Sequence, residues 1–312
     1  MESLRLSFEA VMPIFLLMAL GYLLKGLKFA EKSTFDAMNR LVFKIFLPIL
    51  LFYNIYQTNL GQIFNGKLIL FTVIAILTVF LVGYAVVLKV TRDNARRGVI
   101  LQGFFRSNYA ILGIPLVDYV CGDSATGLAS LMVAIVVPLF NILAVICLER
   151  FRNKSVKVGS LMWGILKNPL FLGCMAGAIF LIADLSLPTF VEKAVRTASQ
   201  IASPLSMVIL GAGFAFSGIG KYLKVILITV SAKLVIVPLF AVTAAALLGF
   251  RGEALVCILI TFGAPVAVSS FSMSQQMGGD EKLAAQNVVM SSALCLLTLF
   301  GWIWALSALG LI

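Results

Sequence analysis

Arg106, Ser107 and Asn108 stand together in the stretch RSNYAILGIPL, followed closely by Gly113 and Pro115, inside a run that is otherwise apolar. Arginine brings a permanent cation with a planar fork of donors, and an asparagine amide both donates and accepts. Proline removes a backbone donor and frees a carbonyl, so a helix carrying this stretch is interrupted. A second stretch, FGAPVAVSSFSMSQQMGGD, has the same character: Gly263 and Pro265 interrupt an apolar run, and Ser269, Ser270 and Ser272 follow. Inside hydrocarbon the freed groups must be satisfied by protein or by a wet cavity, and half-helix N-termini present a positive dipole end. One break alone reads most simply as a kink, since Gly and Pro are frequent in membrane helices. Two matched breaks predict a polar site near the bilayer midplane that can hold an anion.

The elements that position these residues follow from composition. The chain has 312 residues, 61% hydrophobic and 12% charged, with a mean hydropathy of +1.07. Such values lie outside those of soluble domains and indicate an integral membrane protein. Runs long enough to cross ~30 Å of hydrocarbon fall near residues 8–25, 35–57, 67–89, 97–120, 126–148, 162–184, 192–218, 223–248, 253–277 and 282–309. Ten transmembrane helices are expected, making an all-α membrane protein. The opening MESLRLSFEA is as acidic as it is basic and no small-residue cleavage site follows, so the first run is expected to stay as a helix.

Sixteen Lys and Arg residues fall in the loops after the odd-numbered runs, against five on the opposite face. That asymmetry places both termini outside the cytoplasm, in a cell inner membrane. It also accounts for the net charge of +11 through anionic lipid, with no nucleic-acid partner.

The two halves resemble each other. Asn108 and Gly122 are fourteen residues apart, as are Pro265 and Gly279; Pro48 and Pro204 are separated by 156 residues, and Gly122 and Gly279 by 157. The expected organisation is a first five-helix repeat over 1–148, a cytoplasmic connecting loop over 149–161 and a second repeat over 162–312. An odd number of spans per unit makes the second copy inverted.

No histidine occurs, and Cys121, Cys147, Cys174, Cys257 and Cys295 are dispersed, so no metal site, disulfide framework or cofactor is expected. Lys44 and Lys233 lie within spans; snorkelling or helix packing and a functional role are equally open for each. The acids keep to loops and span ends, which disfavours a cation/proton antiporter built on midplane carboxylates. Sodium can still bind freed carbonyls and the serines of the ninth run, so proton or sodium coupling stays open. A membrane enzyme would need a nucleophile or an acid/base constellation, which this composition scarcely offers. The expected activity is secondary transport of a small organic carboxylate. An antiporter of the same fold and a membrane-embedded enzyme are the alternatives.

The motifs IFLPILLF, SNYAILGIPLVDYVCGD, LMVAIVV and APVAVSSFSMSQQMGGD resemble the auxin efflux carrier family, and the likeness covers nearly the whole chain. The resemblance implies two inverted five-helix repeats similar to sodium/proton antiporters and bile-acid sodium symporters. Runs 1, 2, 6 and 7 would form a scaffold, with runs 3 to 5 and 8 to 10 in a mobile, elevator-like domain around crossing runs 4 and 9. It implies an organic anion as cargo, auxin in plants and malate or malonate in bacteria, and is compatible with a homodimer. By position, Asn108 matches the crossover asparagine, Pro265 the crossover proline, and Asn141 the segment of the fifth run that flanks the substrate. The candidate substrate-binding set is therefore Arg106, Ser107, Asn108, Asn141, Pro265, Val266 and Ser269. Ser107 stands where plant carriers have proline, and the central loop is short where many plant carriers have a long one. Both departures point to a bacterial type of member and away from auxin.

Overall fold

A computed structural model describes residues 2–57, 65–109, 116–118, 120–122, 126–152, 163, 166–214 and 219–312. Among them there is helix and no strand, apart from one isolated bridge. In chain order the elements are α1 (Glu2–Gly26), α2 (Lys32–Leu41), α3 (Leu47–Tyr56), α4 (Gly66–Val90), α5 (Asn94–Phe105) and α6 (Thr126–Arg152). The second half holds α7 (Pro169–Ile182), α8 (Thr189–Gly213), α9 (Ile219–Ser231), α10 (Val237–Leu247), α11 (Gly252–Gly263), α12 (Ser269–Gln276) and α13 (Glu281–Ala308). Gly66–Val90, Gly127–Arg152, Tyr222–Leu247 and Glu281–Ala308 are long and apolar enough to cross a membrane. Side chains capable of capping start several helices: Asn65, Asp93, Asn168 and Asp280 each accept from a backbone N–H of the first turn.

Two rods contain a widened turn, and both widen just before a proline. α2 passes through a π turn at Val42–Phe46 into α3, which begins Leu47-Pro48; α9 passes through Ala232–Ile236 into α10, which begins Val237-Pro238. Leu47 N–H donates to Val42 O and Val237 N–H to Ala232 O, one residue further back than in an α-helix. A proline ring would clash with the carbonyl four residues earlier, and the wider turn relieves that clash. The carbonyl concerned at Pro238 is that of Leu234, and the Trp302 indole donates to it at 3.0 Å. Pro48 and Pro238 thus have a structural part in these turns. Lys44 and Lys233 sit in these two turns but diverge: Lys44 is exposed and Lys233 is completely buried.

The core lies on the interrupted helices. Every residue of α5 from Gly98 to Phe105 and of α11 from Leu255 to Gly263 is buried. α4, by contrast, turns Leu70, Ile74, Leu81 and Val82 outward, the surface expected to meet lipid. α1 and α8, and α3 and α7, pack backbone to backbone at glycines. A Cβ on Gly21 would collide with the carbonyl of Val208, and one on Gly177 with the carbonyl of Phe52. These close approaches join α1 to α8 and α7 to α3 in the small-residue manner of membrane helices.

Candidate functional site

α5 ends at Phe105 because Arg106 turns extended, with φ −87° and ψ 123°. α11 ends at Gly263 and Ala264 is likewise extended, with φ −67° and ψ 154°. The two extended segments meet: Ser107 and Val266 form the isolated antiparallel bridge, and Asn108 N–H donates to Pro265 O at 2.8 Å. The Val266 N–H is taken by Ser291 Oγ at 3.0 Å. The first break therefore begins at Arg106, ahead of Gly113 and Pro115, which lie outside the described residues. The second begins at Gly263 and Pro265, where the glycine and proline place it. The first helix stops early because backbone pairing across the crossing replaces its lost intrahelical bonds.

The carbonyls at the end of α11 carry its negative dipole end and have no intrahelical partner. Ser107 Oγ donates to Thr261 O, and Lys233 Nζ reaches Phe262 O at 2.9 Å and Ser107 Oγ at 2.5 Å. Lys233 thus acts as a cationic cap on a buried helix end, delivered by the π turn of the neighbouring rod. The sequence marked it only as one of two intramembrane lysines.

Arg106 is 1% exposed, and its guanidinium binds four groups, all neutral. Nη1 donates to Gln102 Oε1 at 3.0 Å and Met273 Sδ at 2.7 Å; Nη2 donates to Asn141 Oδ1 at 2.6 Å and Ser269 Oγ at 2.8 Å. Asn141 is oriented by donating to Val137 O at 2.7 Å, and Gln102 by donating to Ser274 Oγ at 3.2 Å. No carboxylate among the described residues is bonded to Arg106 or to Lys233. Arg106 therefore leaves the crossing electropositive, and buried charge is tolerated in proteins only when it is paired or held by hydrogen bonds, as this guanidinium is.

Arg106, Ser107, Asn108, Asn141 and Ser269 line a cavity of about 50 Å³, shared with Val137 and Phe140 of α6, Leu47, Leu50 and Leu51 of α3, and Ser203 and Ser206 of α8. Asn108 Nδ2 is buried there without a partner, a donor held ready beside the arginine. Pro265 and Val266 lie one layer behind, where they hold the backbones of Asn108 and Ser107. The half-helix N-terminus of α12 contributes less than its position suggests: Ser270 N–H and Phe271 N–H are taken by Ala267 O and Val268 O. The cavity's second wall was not read from the sequence, although Ser203 and Ser206 flank Pro204 in an otherwise apolar stretch and give the available signal.

One end of this arrangement is fastened by polar contacts between α2 and the α12–α13 corner. Gln275 Nε2 donates to Asp36 Oδ1 at 3.1 Å and to Glu281 Oε2 at 2.8 Å, Asn39 Nδ2 donates to Gln275 Oε1, and Lys32 pairs with Glu281 at 3.7 Å.

The pattern of a family described as membrane transport protein matches residues 6–160 and 152–303. The chain belongs to this membrane transport protein family, of the auxin efflux carrier type. It is 24% identical over 300 residues to an "Uncharacterized transporter" of Methanothermobacter thermautotrophicus, an alignment covering 95% of this chain and 97% of that protein. It is 22% identical over 301 residues to a "Putative malonate transporter" of Rhizobium meliloti, covering 94% of each. This membrane transport protein thus sits among chains named for transport rather than for catalysis, and the likeness runs through the crossing that Arg106 and Asn108 occupy.

Proposed function

We propose that the protein is a secondary transporter of a small organic anion, with a carboxylate of the malonate or malate type as cargo. The observation that carries this reading is Arg106: a buried guanidinium with only neutral partners, beside an unpartnered Asn108 amide, on the wall of a cavity. A cation would be repelled there, while a carboxylate can accept from both groups. The name of the Rhizobium relative agrees with a dicarboxylate.

A cavity of about 50 Å³ is far below the ~300–1,000 Å³ of small-molecule pockets. Cargo therefore enters only when the wall of α3 and α8 separates from α5, α6 and α12. An elevator-like displacement of the second group against the first provides that opening. The inverted repeat behind such a motion is supported by packing. Gly21 against Val208 and Gly177 against Phe52 are the same contact made twice, each partner displaced by 156 residues, the spacing of Pro48 and Pro204.

The test of cargo and site is a binding isotherm with malonate for wild type and Asn108→Ala. A hydrogen bond to a charged group contributes roughly 1.5 kcal/mol or more, so the variant is expected to bind about tenfold more weakly with an unchanged melting temperature. Wild-type affinity in a folded Asn108→Ala protein would sink the assignment of this amide. Saturable malonate uptake and counterflow in proteoliposomes separate a carrier from a channel.

Sidedness is tested separately. In a Cys121→Ser background, cysteines at the exposed Ser33 and Ser186 report opposite faces. An impermeant thiol reagent applied to intact cells is expected to label the Ser186 position and spare the Ser33 position, because basic loops stay cytoplasmic. The reverse labelling would invert the orientation.

A further inference from the structure

A second, more voluminous cavity opens on the other side of α5 from the crossing cavity and shares no lining residue with it. It is a groove of about 1240 Å³ between α4 and the α9–α10 rod, above the ~300–1,000 Å³ range of small-molecule pockets. On α4 the lining runs from Lys67 to Val86 at helical spacing, and on the facing rod from Leu227 to Leu248. Gly83 and Phe104 form a floor, since a Cβ on Gly83 would lie 3.1 Å from the Phe104 ring. Thr78 interrupts the apolar lining but donates to its own helix, to Ile74 O at 2.8 Å.

The two ends differ. At one, Lys67 donates to Leu248 O at 2.8 Å and lies 5.0 Å over the Phe250 ring, which packs on Phe71 with centroids 5.2 Å apart. That end is closed and its cation is engaged. At the other, Lys89 follows Val86 by three residues and Lys224 precedes Leu227 by three, so each continues a lining stripe by one turn. Both are exposed, and neither forms an ion pair among the described residues. From Lys67 to Lys89 is about 33 Å of helix rise, against ~30 Å of hydrocarbon, so the lysines stand where lipid phosphates begin.

We propose that this groove is a binding site for an anionic glycerophospholipid, with acyl chains along the α4 and α9–α10 walls and the phosphate held by Lys89 and Lys224. The apolar length matches the chains, and the open cationic end matches the headgroup. A neutral lipid would fill the trough without using the lysines.

The experiment uses delipidated full-length protein in detergent, titrated with dioleoylphosphatidylglycerol or dioleoylphosphatidylcholine, with one-to-one adducts counted by native mass spectrometry. Wild type is expected to favour the anionic lipid by about thirtyfold, from two lysines at ~1 kcal/mol each near an anionic headgroup. The Lys89→Gln/Lys224→Gln variant, which leaves the interior untouched, should lose that preference, whereas Lys67→Gln should keep it. Ala75→Trp, filling the trough, should remove the adduct; if it does not fold, Ala244→Phe on the opposite wall replaces it. Equal binding of the two lipids by wild type overturns the proposal. So does a preference that survives the double lysine variant, which places the headgroup elsewhere, or one that survives the filled trough, which reduces it to surface adsorption.

Discussion

Arg106→Gln is expected to weaken malonate binding by about a hundredfold or more and to abolish uptake at micromolar substrate. A carboxylate that displaces neutral acceptors from the Arg106 fork exchanges them for charge-assisted bonds, each contributing roughly 1.5 to 3 kcal/mol. The melting temperature of the unliganded protein should move little. The variant forfeits bonds to Gln102, Met273, Asn141 and Ser269, but it also removes a cation buried without a counter-ion. These two effects oppose each other. Arg106→Lys separates charge from shape: a single ammonium cannot span Gln102 on one side and Asn141 on the other, so an intermediate loss is expected. Titration calorimetry with malonate reads all three proteins, and wild-type affinity in Arg106→Gln would remove the arginine from the site.

Lys233→Met should act through the crossing rather than through the cargo. Without the ammonium, Phe262 O loses a donor at 2.9 Å and Ser107 Oγ loses one of its two partners. Phe262 is 0% exposed, so water does not replace the lost donor. Each buried polar group left unsatisfied costs about 1–3 kcal/mol, and loss of a cation at a helix C-terminus adds to that. Relief from burying an ammonium offsets only part, because Phe262 O and Ser107 Oγ lose their shared donor in a region closed to water. The expected result is a protein several degrees less stable by differential scanning fluorimetry and without uptake. Lys233→Arg should retain much of both. A Lys233→Met protein that melts and transports like wild type would show that the crossing holds itself together without the lysine.

The interruptions were legible in the sequence because Arg, Asn, Gly and Pro are conspicuous against Leu and Val. Asn108, Pro265 and Ser269 needed no structure to be singled out, and the family likeness followed from the same motifs. Lys233 was not legible. It and Lys44 have the same local setting, a widened turn ahead of a proline, yet one is buried and the other exposed. In a soluble protein hydrophobic periodicity would separate them. In a membrane helix the lipid face and the protein face are both apolar, and the pattern that marks an inward side fades. For the same reason Leu47, Leu50 and Leu51 gave no hint that they form a wall of the cavity. The early end of α5 was hidden because it depends on pairing with a segment 159 residues away, between Ser107 and Val266.

The fastening of α2 to the α12–α13 corner has a kinetic consequence. Under the proposed elevator-like transport, Lys32–Glu281 and the two carboxylates on Gln275 would stabilise this conformation while the cavity is empty and slow the return of the empty protein. Exchange of labelled for unlabelled malonate leaves such slowing unnoticed, since it requires only that cargo leave and rebind on the same side. Net flux does not, because the empty protein must complete its return. The Lys32–Glu281 pair is exposed on both sides and is weakened by salt. Raising ionic strength is therefore expected to speed the empty return more than the loaded step, so that the gap between net malonate flux and exchange in proteoliposomes narrows.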